Sequence, residues 1–181
     1  MNGKNATAHE ARRPAGEADG AGALSPEQDL RLRESIRRQT LLGTLGITVA
    51  RLEPGRVVLE LPFREDLCQQ NGFVHAGAIT TLADSACGYA AMSLQPVDRD
   101  ILTVEFKVNL MSPAIGRAFQ ATATVIRAGR TLTICSAEVH ADHNAAKPIA
   151  LMQATLMAIG PAAATATAAE RTEADHPSVD G

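Results

Sequence analysis

Residues 75–94 constrain this chain more than any other stretch. The run has helical length, and its apolar residues cover almost every face: Ile79, Leu82, Ala83, Ala86, Ala90, Ala91, Met92 and Leu94 leave no broad polar side. A helix of that kind has to be buried. Gly77, Gly88 and the many alanines keep it thin, so whatever wraps it can come close. Gln95-Pro96 ends it. In the middle stands one acid, Asp84, with no Lys or Arg within a helical turn. A carboxylate in such surroundings costs several kcal/mol unless it is paired. It is therefore either a side chain that reaches the surface or a cap, or a group kept for chemistry.

The segments around the helix read as strands. Ile47, Val49 and Leu52 are followed by the turn Glu53-Pro54-Gly55, and then Val57, Leu59 and Leu61 alternate with other residues, which predicts a hairpin. Residues 64–71 form a polar loop. After the helix come four strand-like segments, 102–110, 117–127, 131–141 and 149–159, each long for a strand. Ser25-Pro26-Glu27-Gln28 opens an earlier helix with a serine cap and a proline in the first turn. Its sparse apolar positions (Leu30, Ile36, Leu41, Leu42) predict a surface helix over 25–42 that stops at Gly43. The order predicts an α+β fold: a long antiparallel β-sheet wrapped around one central buried helix, with an extra N-terminal helix.

Both ends differ from the middle. Residues 1–24 and 161–181 lack an apolar period and are rich in Ala, Gly, Thr and charged residues. Such segments are expected to be disordered tails flanking one domain at 25–160. Net charge is −3, with no basic block and few aromatics, so nucleic acid is not an expected partner. Three cysteines (Cys68, Cys87, Cys135) lack metal-ligand spacing, as expected of a reduced, cytoplasmic chain. No stretch is long and apolar enough to predict a membrane span, and residues 1–20 show no apolar signal core.

Candidate chemistry gathers at two places on the central helix. His75, Ala76 and Gly77 lie at its start, where free N–H groups and the positive end of the dipole favour an oxyanion. His75 alone reads equally well as a helix-entry histidine bonded to the backbone. Asp84 lies nine residues further on, about 13 Å along the axis. One carbonyl cannot easily reach both within one chain, but two antiparallel helices meeting across a two-fold axis would bring them together. No Gly-x-Ser-x-Gly nucleophile elbow exists. His140 and His143 read as a turn feature and no metal site is expected. Arg127-Ala128-Gly129-Arg130 reads as a solvated turn whose cations, Arg130 included, could also touch phosphates.

The stretch Gly72-Phe73-Val74-His75-Ala76-Gly77, followed by Leu82-Ala83-Asp84, resembles the phenylacetate-degradation (PaaI-like) branch of the hotdog thioesterase superfamily. That branch carries Gly-x-x-His-Gly-Gly at the start of its central helix and a carboxylate two turns in. Val104 to Leu110 and then Met111-Ser112-Pro113-Ala114 resemble its third strand and closing turn. The resemblance spans about residues 46–159. It implies an acyl-CoA thioesterase, with Asp84 of one subunit as general base or nucleophile facing the helix start of the other. Homodimers or homotetramers are implied, and no cofactor, since coenzyme A is part of the substrate. Thr103 aligns with a Ser or Thr that orients the water or the carboxylate. Ala76 replaces the first glycine after the histidine, and its role is carried by a backbone N–H that alanine also has. Many relatives have Asn where this chain has Gln69; Gln70 and Asn71 are the other amides on offer. Asn71 and Gly72, with Arg130, are the expected substrate-binding residues. The acyl group is expected to be a medium or long aliphatic chain, with aryl as the alternative. A non-hydrolytic acyl-CoA or acyl-carrier binding protein, or a hydratase, is the competing function.

Overall fold

A computed structural model describes residues 22–142, 144 and 146–160. The segments expected as tails lie outside the described residues, apart from 22–24, where Leu24 is half-buried against the core. Helix α1 (Pro26–Arg38) starts as its sequence predicts: Ser25 Oγ accepts from the Gln28 N–H, and Gln28 Oε1 accepts from the Ser25 N–H, both at 3.2 Å. This reciprocal pair satisfies two donors that the first turn would otherwise leave bare.

The helix does not run on to Leu42. It breaks at Gln39, whose backbone is extended (ψ 96°), and resumes as α2 (Thr40–Leu45), which ends at Gly46 with φ 75°. The break buries Leu42 beside Leu32 and Ile36, while Leu30 and Leu41 face solvent. Gly43, the expected stop, is an ordinary helical residue. Gly46 has the left-handed backbone that favours glycine.

Strands β1 (Thr48–Glu53) and β2 (Arg56–Pro62) pair antiparallel through the expected turn, where Gly55 has φ 72°. Val49 and Leu52 are three residues apart, which a regular strand would put on opposite faces. The register skips one residue between Val49 and Arg51, and this bulge reconciles them. The central helix α3 spans Ala76–Met92. After it come β3 (Asp100–Leu110), β4 (Ala118–Ala128), β5 (Leu132–Ala141) and β6 (Ala150–Ile159). All pairings are antiparallel, in the order β1-β2-β4-β5-β6-β3. This is the expected α+β hotdog arrangement, with element ends shifted by one or two residues.

The core lies between α3 and the concave side of the sheet. Leu82, Ala83, Ala86 and Ala90 of the helix are fully buried with Leu59, Phe119, Ala121, Ala137, Val139 and Leu156. Alanines stand on both sides, so helix and strands can approach closely. No helix of the described residues is long and apolar enough to cross a membrane.

Strand β3 lies at one edge of the sheet and differs from the others. Thr103 pairs with Leu156 and Glu105 with Thr155, so Val104 is an extra residue in the ladder. Because directly opposite residues share a face, Thr103, Phe106, Val108 and Leu110 all lie on the concave side with Leu156, Ala154, Met152 and Ala150. Leu102, Val104 and Phe106 are nonetheless 53%, 55% and 46% exposed. A long edge strand carrying exposed apolar residues invites another strand to pair with it.

The two ends of this architecture should differ sharply in sensitivity. Leu82→Ala, at the fully buried centre of α3, is expected to cost roughly 2–5 kcal/mol. Ser25→Ala, which removes only the α1 cap, should cost about 1 kcal/mol. Urea denaturation of both variants would check this; equal losses would mean that α1 is as integral to the core as α3.

Candidate active site

The loop that leads into α3 is fixed by its own backbone. The Gln69 N–H donates to Phe73 O at 2.8 Å and the Gly72 N–H to Gln69 O at 2.9 Å. Gly72 takes φ 81° to close this tight turn. The Asn71 N–H donates to Gln69 Oε1, so the Gln69 amide oxygen is engaged locally. The His75 N–H donates to Leu67 O at 2.8 Å and the Val74 N–H to Ala114 O at 3.2 Å, which ties the helix entry to the segment after β3.

His75 is the N-cap of α3. Its Nδ1 accepts from the Gly77 N–H at 2.8 Å, so the ring proton resides on Nε2. The Ala78 and Ile79 N–H groups donate to His75 O at 3.0 and 3.4 Å. The Ala76 N–H is thus the one donor of this first turn without an acceptor among the described residues. Ala76 and Gly77 are both exposed. Of the two backbone donors that the sequence offers, Gly77's is taken by the histidine and Ala76's is free.

Beside this helix start is a cavity of about 570 Å³, lined by Gln69, Gln70, Phe73, Val74, His75, Ala76 and Ile79 on one side and by residues 110–114 and Ile149 on the other. Of the three candidate amides, Gln69 and Gln70 line it and Asn71 does not. Sequence reading missed the cavity because its second wall comes from the far ends of β3 and β6. Met111-Ser112-Pro113-Ala114 stood out only as a matching turn and carried no role.

Asp84 sits two turns along α3, half-buried. Its Oδ1 accepts from Thr103 Oγ1 at 2.9 Å, a bond that joins the helix to the edge strand. Burial holds the Asp84 carboxyl above the usual carboxylate range, and the Thr103 hydrogen bond pulls it part of the way back. No cation bonds to it among the described residues. Neither Asp84 nor Thr103 lines the cavity at the helix start. One chain therefore holds two separate features, an acid with its hydroxyl and a free N–H with its cavity.

Arg130 is in the β4–β5 turn, at the end of the sheet where β3 begins, as the pairs Leu132–Met157 and Met157–Leu102 show. The cavity is at the opposite end of β3, so one protomer does not bring Arg130 to it. His140 Nε2 lies 3.7 Å from Glu138 Oε2, and His143 lies outside the described residues. Among the described residues no His, Cys, Asp and Glu side chains gather as metal ligands would. Cys87 and Cys135 are buried free thiols, the latter donating to Cys87 O at 3.6 Å.

Comparison with known proteins bears on what this arrangement is. The sequence model described as the thioesterase superfamily matches residues 71–146, a span that includes α3, β3, β4, β5 and the last residues of the helix-entry loop. Human acyl-coenzyme A thioesterase 13 is 30% identical over 118 residues, 60% of this chain and 81% of that protein. The crystal structure of a thioesterase family protein from Silicibacter pomeroyi superposes with a TM-score of 0.71 at 46% identity, covering 74% of this chain and 98% of that one. The E. coli PaaI protein from the phenylacetic acid degradation operon gives a TM-score of 0.70 at 20% identity, over 77% and 98% of the two chains, a likeness of fold. With a 30%-identical relative matched over four-fifths of its length, a 46%-identical thioesterase family structure matched over nearly all of its own, and a six-stranded sheet around one buried helix, the chain belongs to the thioesterase superfamily and has the hotdog fold.

Proposed function

We propose that this protein is an acyl-CoA thioesterase whose active site is assembled from two subunits. The observation that carries the reading is the split just described: Asp84 with Thr103 on one part of the fold, the free Ala76 N–H and its cavity on another. Nine residues of helix separate them, about 13 Å. A two-fold axis that pairs the β3 edges antiparallel would also run the two α3 helices antiparallel. Each Asp84 would then face the partner's helix start, and the exposed Leu102, Val104 and Phe106 would be covered.

In this arrangement the thioester carbonyl oxygen accepts from the Ala76 N–H at the positive end of the α3 dipole. His75 holds Gly77 and so fixes the first turn. Asp84, ionised, takes a proton from water, whose oxygen adds to the carbonyl carbon. The oxyanion is stabilised at the helix start. Collapse breaks the C–S bond, and the proton on Asp84 passes to the departing CoA thiolate. Thr103 donates to one carboxylate oxygen and leaves the other toward water. A carboxylate with a raised pKa is the better proton acceptor once ionised, which suits Asp84 to the role of general base. The acyl group is a medium or long aliphatic chain, with an aryl group as the alternative.

Asp84→Asn is expected to lower turnover of octanoyl-CoA, followed as thiol release, by at least about 10²-fold. It should also raise the melting temperature. A carboxyl that titrates higher folded than unfolded contributes stability fully present below its unfolded pKa and lost as pH rises through the folded one. At neutral pH the charge at position 84 is therefore a cost, and the neutral amide removes it. Wild-type turnover in folded Asp84→Asn would take the carboxylate out of the mechanism.

Thr103→Val removes the side-chain hydrogen bond that favours the ionised form. The acid limb of kcat/KM should move to higher pH in that variant. A limb that stays in place would mean that another group controls it.

The shared site predicts complementation. A valine at Gly77 would crowd His75, since even a Cβ there lies 3.0 Å from Nδ1. Mixed dimers of Asp84→Ala and Gly77→Val subunits, each inactive alone, should regain one intact site of the two. No recovery in verified heterodimers would place the whole site within one chain.

A further inference from the structure

We infer that Ile101 is a positioning residue for Thr103: of two registers open to strand β3, it selects the one that seats the Thr103 hydroxyl against Asp84. This rests on the thioesterase reading, in which that hydroxyl serves the catalytic carboxylate.

The residues of β3 by themselves favour the other register. Leu102, Val104, Phe106, Val108 and Leu110 recur at every second position, and a regular strand would set all five on one face. The observed ladder does not. Glu105 to Leu110 pair with β6 in one frame, Asp100 to Thr103 pair in another, and Val104 is left between them. Leu102 lies opposite Met157, which lies opposite Leu132, on the face away from α3, and both Leu102 and Val104 are exposed. Carrying the Glu105 frame back without the bulge would set Val104 opposite Leu156 and Leu102 opposite Ala158, on the side of the helix. It would also pair the residue that the bulge leaves out. Thr103 would then point away from Asp84.

Two interactions oppose that rearrangement. One is the hydrogen bond from Thr103 Oγ1 to Asp84 Oδ1 at 2.9 Å. The other is Ile101, which shares a face with Thr103, lies opposite the buried Ala158 and packs half-buried against the core. Among the described residues β3 is bonded to β6 alone, so no second strand holds its frame. One partly solvated hydrogen bond is a modest restraint, and the apolar anchor decides.

The acid limb of kcat/KM reports where Thr103 stands, because few other groups bear on Asp84. Its titratable neighbour on α3 is the Cys87 thiol, one turn further on. A hydrogen bond with Cys135 and burial hold the pKa of that thiol up, so it stays neutral. Glu105 and Lys107 of β3 lie on the other face of the sheet, opposite Thr155 and Gln153.

The experiment follows that limb with octanoyl-CoA by thiol release. Ile101→Thr keeps a β-branched side chain and removes the apolar anchor. Its limb should move to higher pH, toward that of Thr103→Val and no further, since Asp84 loses the bond that favours its ionised form. Val104→Thr added to Ile101→Thr should bring the limb back, because residue 104 takes the place opposite Leu156 and presents a hydroxyl there. A residue that served packing alone would lower the melting temperature and leave the limb unmoved. Thermal melts report folding, and Ile101→Ala serves if the threonine variant does not fold. A limb that moves in Thr103→Val but not in folded Ile101→Thr, or that Val104→Thr fails to restore, would overturn the inference and leave the thioesterase reading in place. A limb unmoved in Thr103→Val would overturn the role of Thr103 and this inference with it, and a wild-type protein that releases no thiol would overturn the thioesterase reading as well.

Discussion

The desolvation of Asp84 is the constraint on which the rest of the structure turns. The helix that carries it must be apolar and thin to be wrapped by a six-stranded sheet, yet the carboxylate cannot be sealed away without a partner. The fold answers by placing Asp84 on the side of α3 that faces the open edge of the sheet. Thr103 offers one hydrogen bond there, and no cation neutralises the charge among the described residues. The remaining cost of burial is expressed as a carboxyl displaced upward in pKa.

The helix start shows a second economy. In most helices the first-turn N–H groups go to water or to a cap. Here His75 takes Gly77's through its ring, and its carbonyl takes Ala78's, so the choice of donor is made before any ligand arrives. That also explains why alanine is acceptable at position 76. The group left free is a backbone N–H, which alanine has as glycine does.

Much of this was legible in the residues. The all-round apolarity of 75–94 required burial, and the strand periods and turn residues gave the sheet. The lone acid in the helix pointed to Asp84, and the resemblance to Thr103 beside it. What escaped had a common physical cause: it depended on contacts distant in sequence. Gly43 and Gly46 are equally good stops by local propensity, and only the burial of Leu42 decides between them. Gln69, Gln70 and Asn71 are alike as amides. Which of them line the cavity follows from the turn closed by Gly72 and from the packing of 110–114 against Val74. The cavity itself has no sequence signature, since its walls come from segments about 75 residues apart at Val74 and Ile149.

The extra residue at Val104 gives β3 a phase. Before it, Thr103 is turned toward the helix and its acid; after it, Phe106, Val108 and Leu110 are turned the same way, which an unbroken alternation would forbid. Losing a single residue here would not merely shorten a strand. It would turn over one half of the strand relative to the other, so that either the hydroxyl or the apolar row faced away. The Thr103 hydroxyl and the apolar row of the edge therefore hang on one inserted position, whose presence matters more than the side chain it carries.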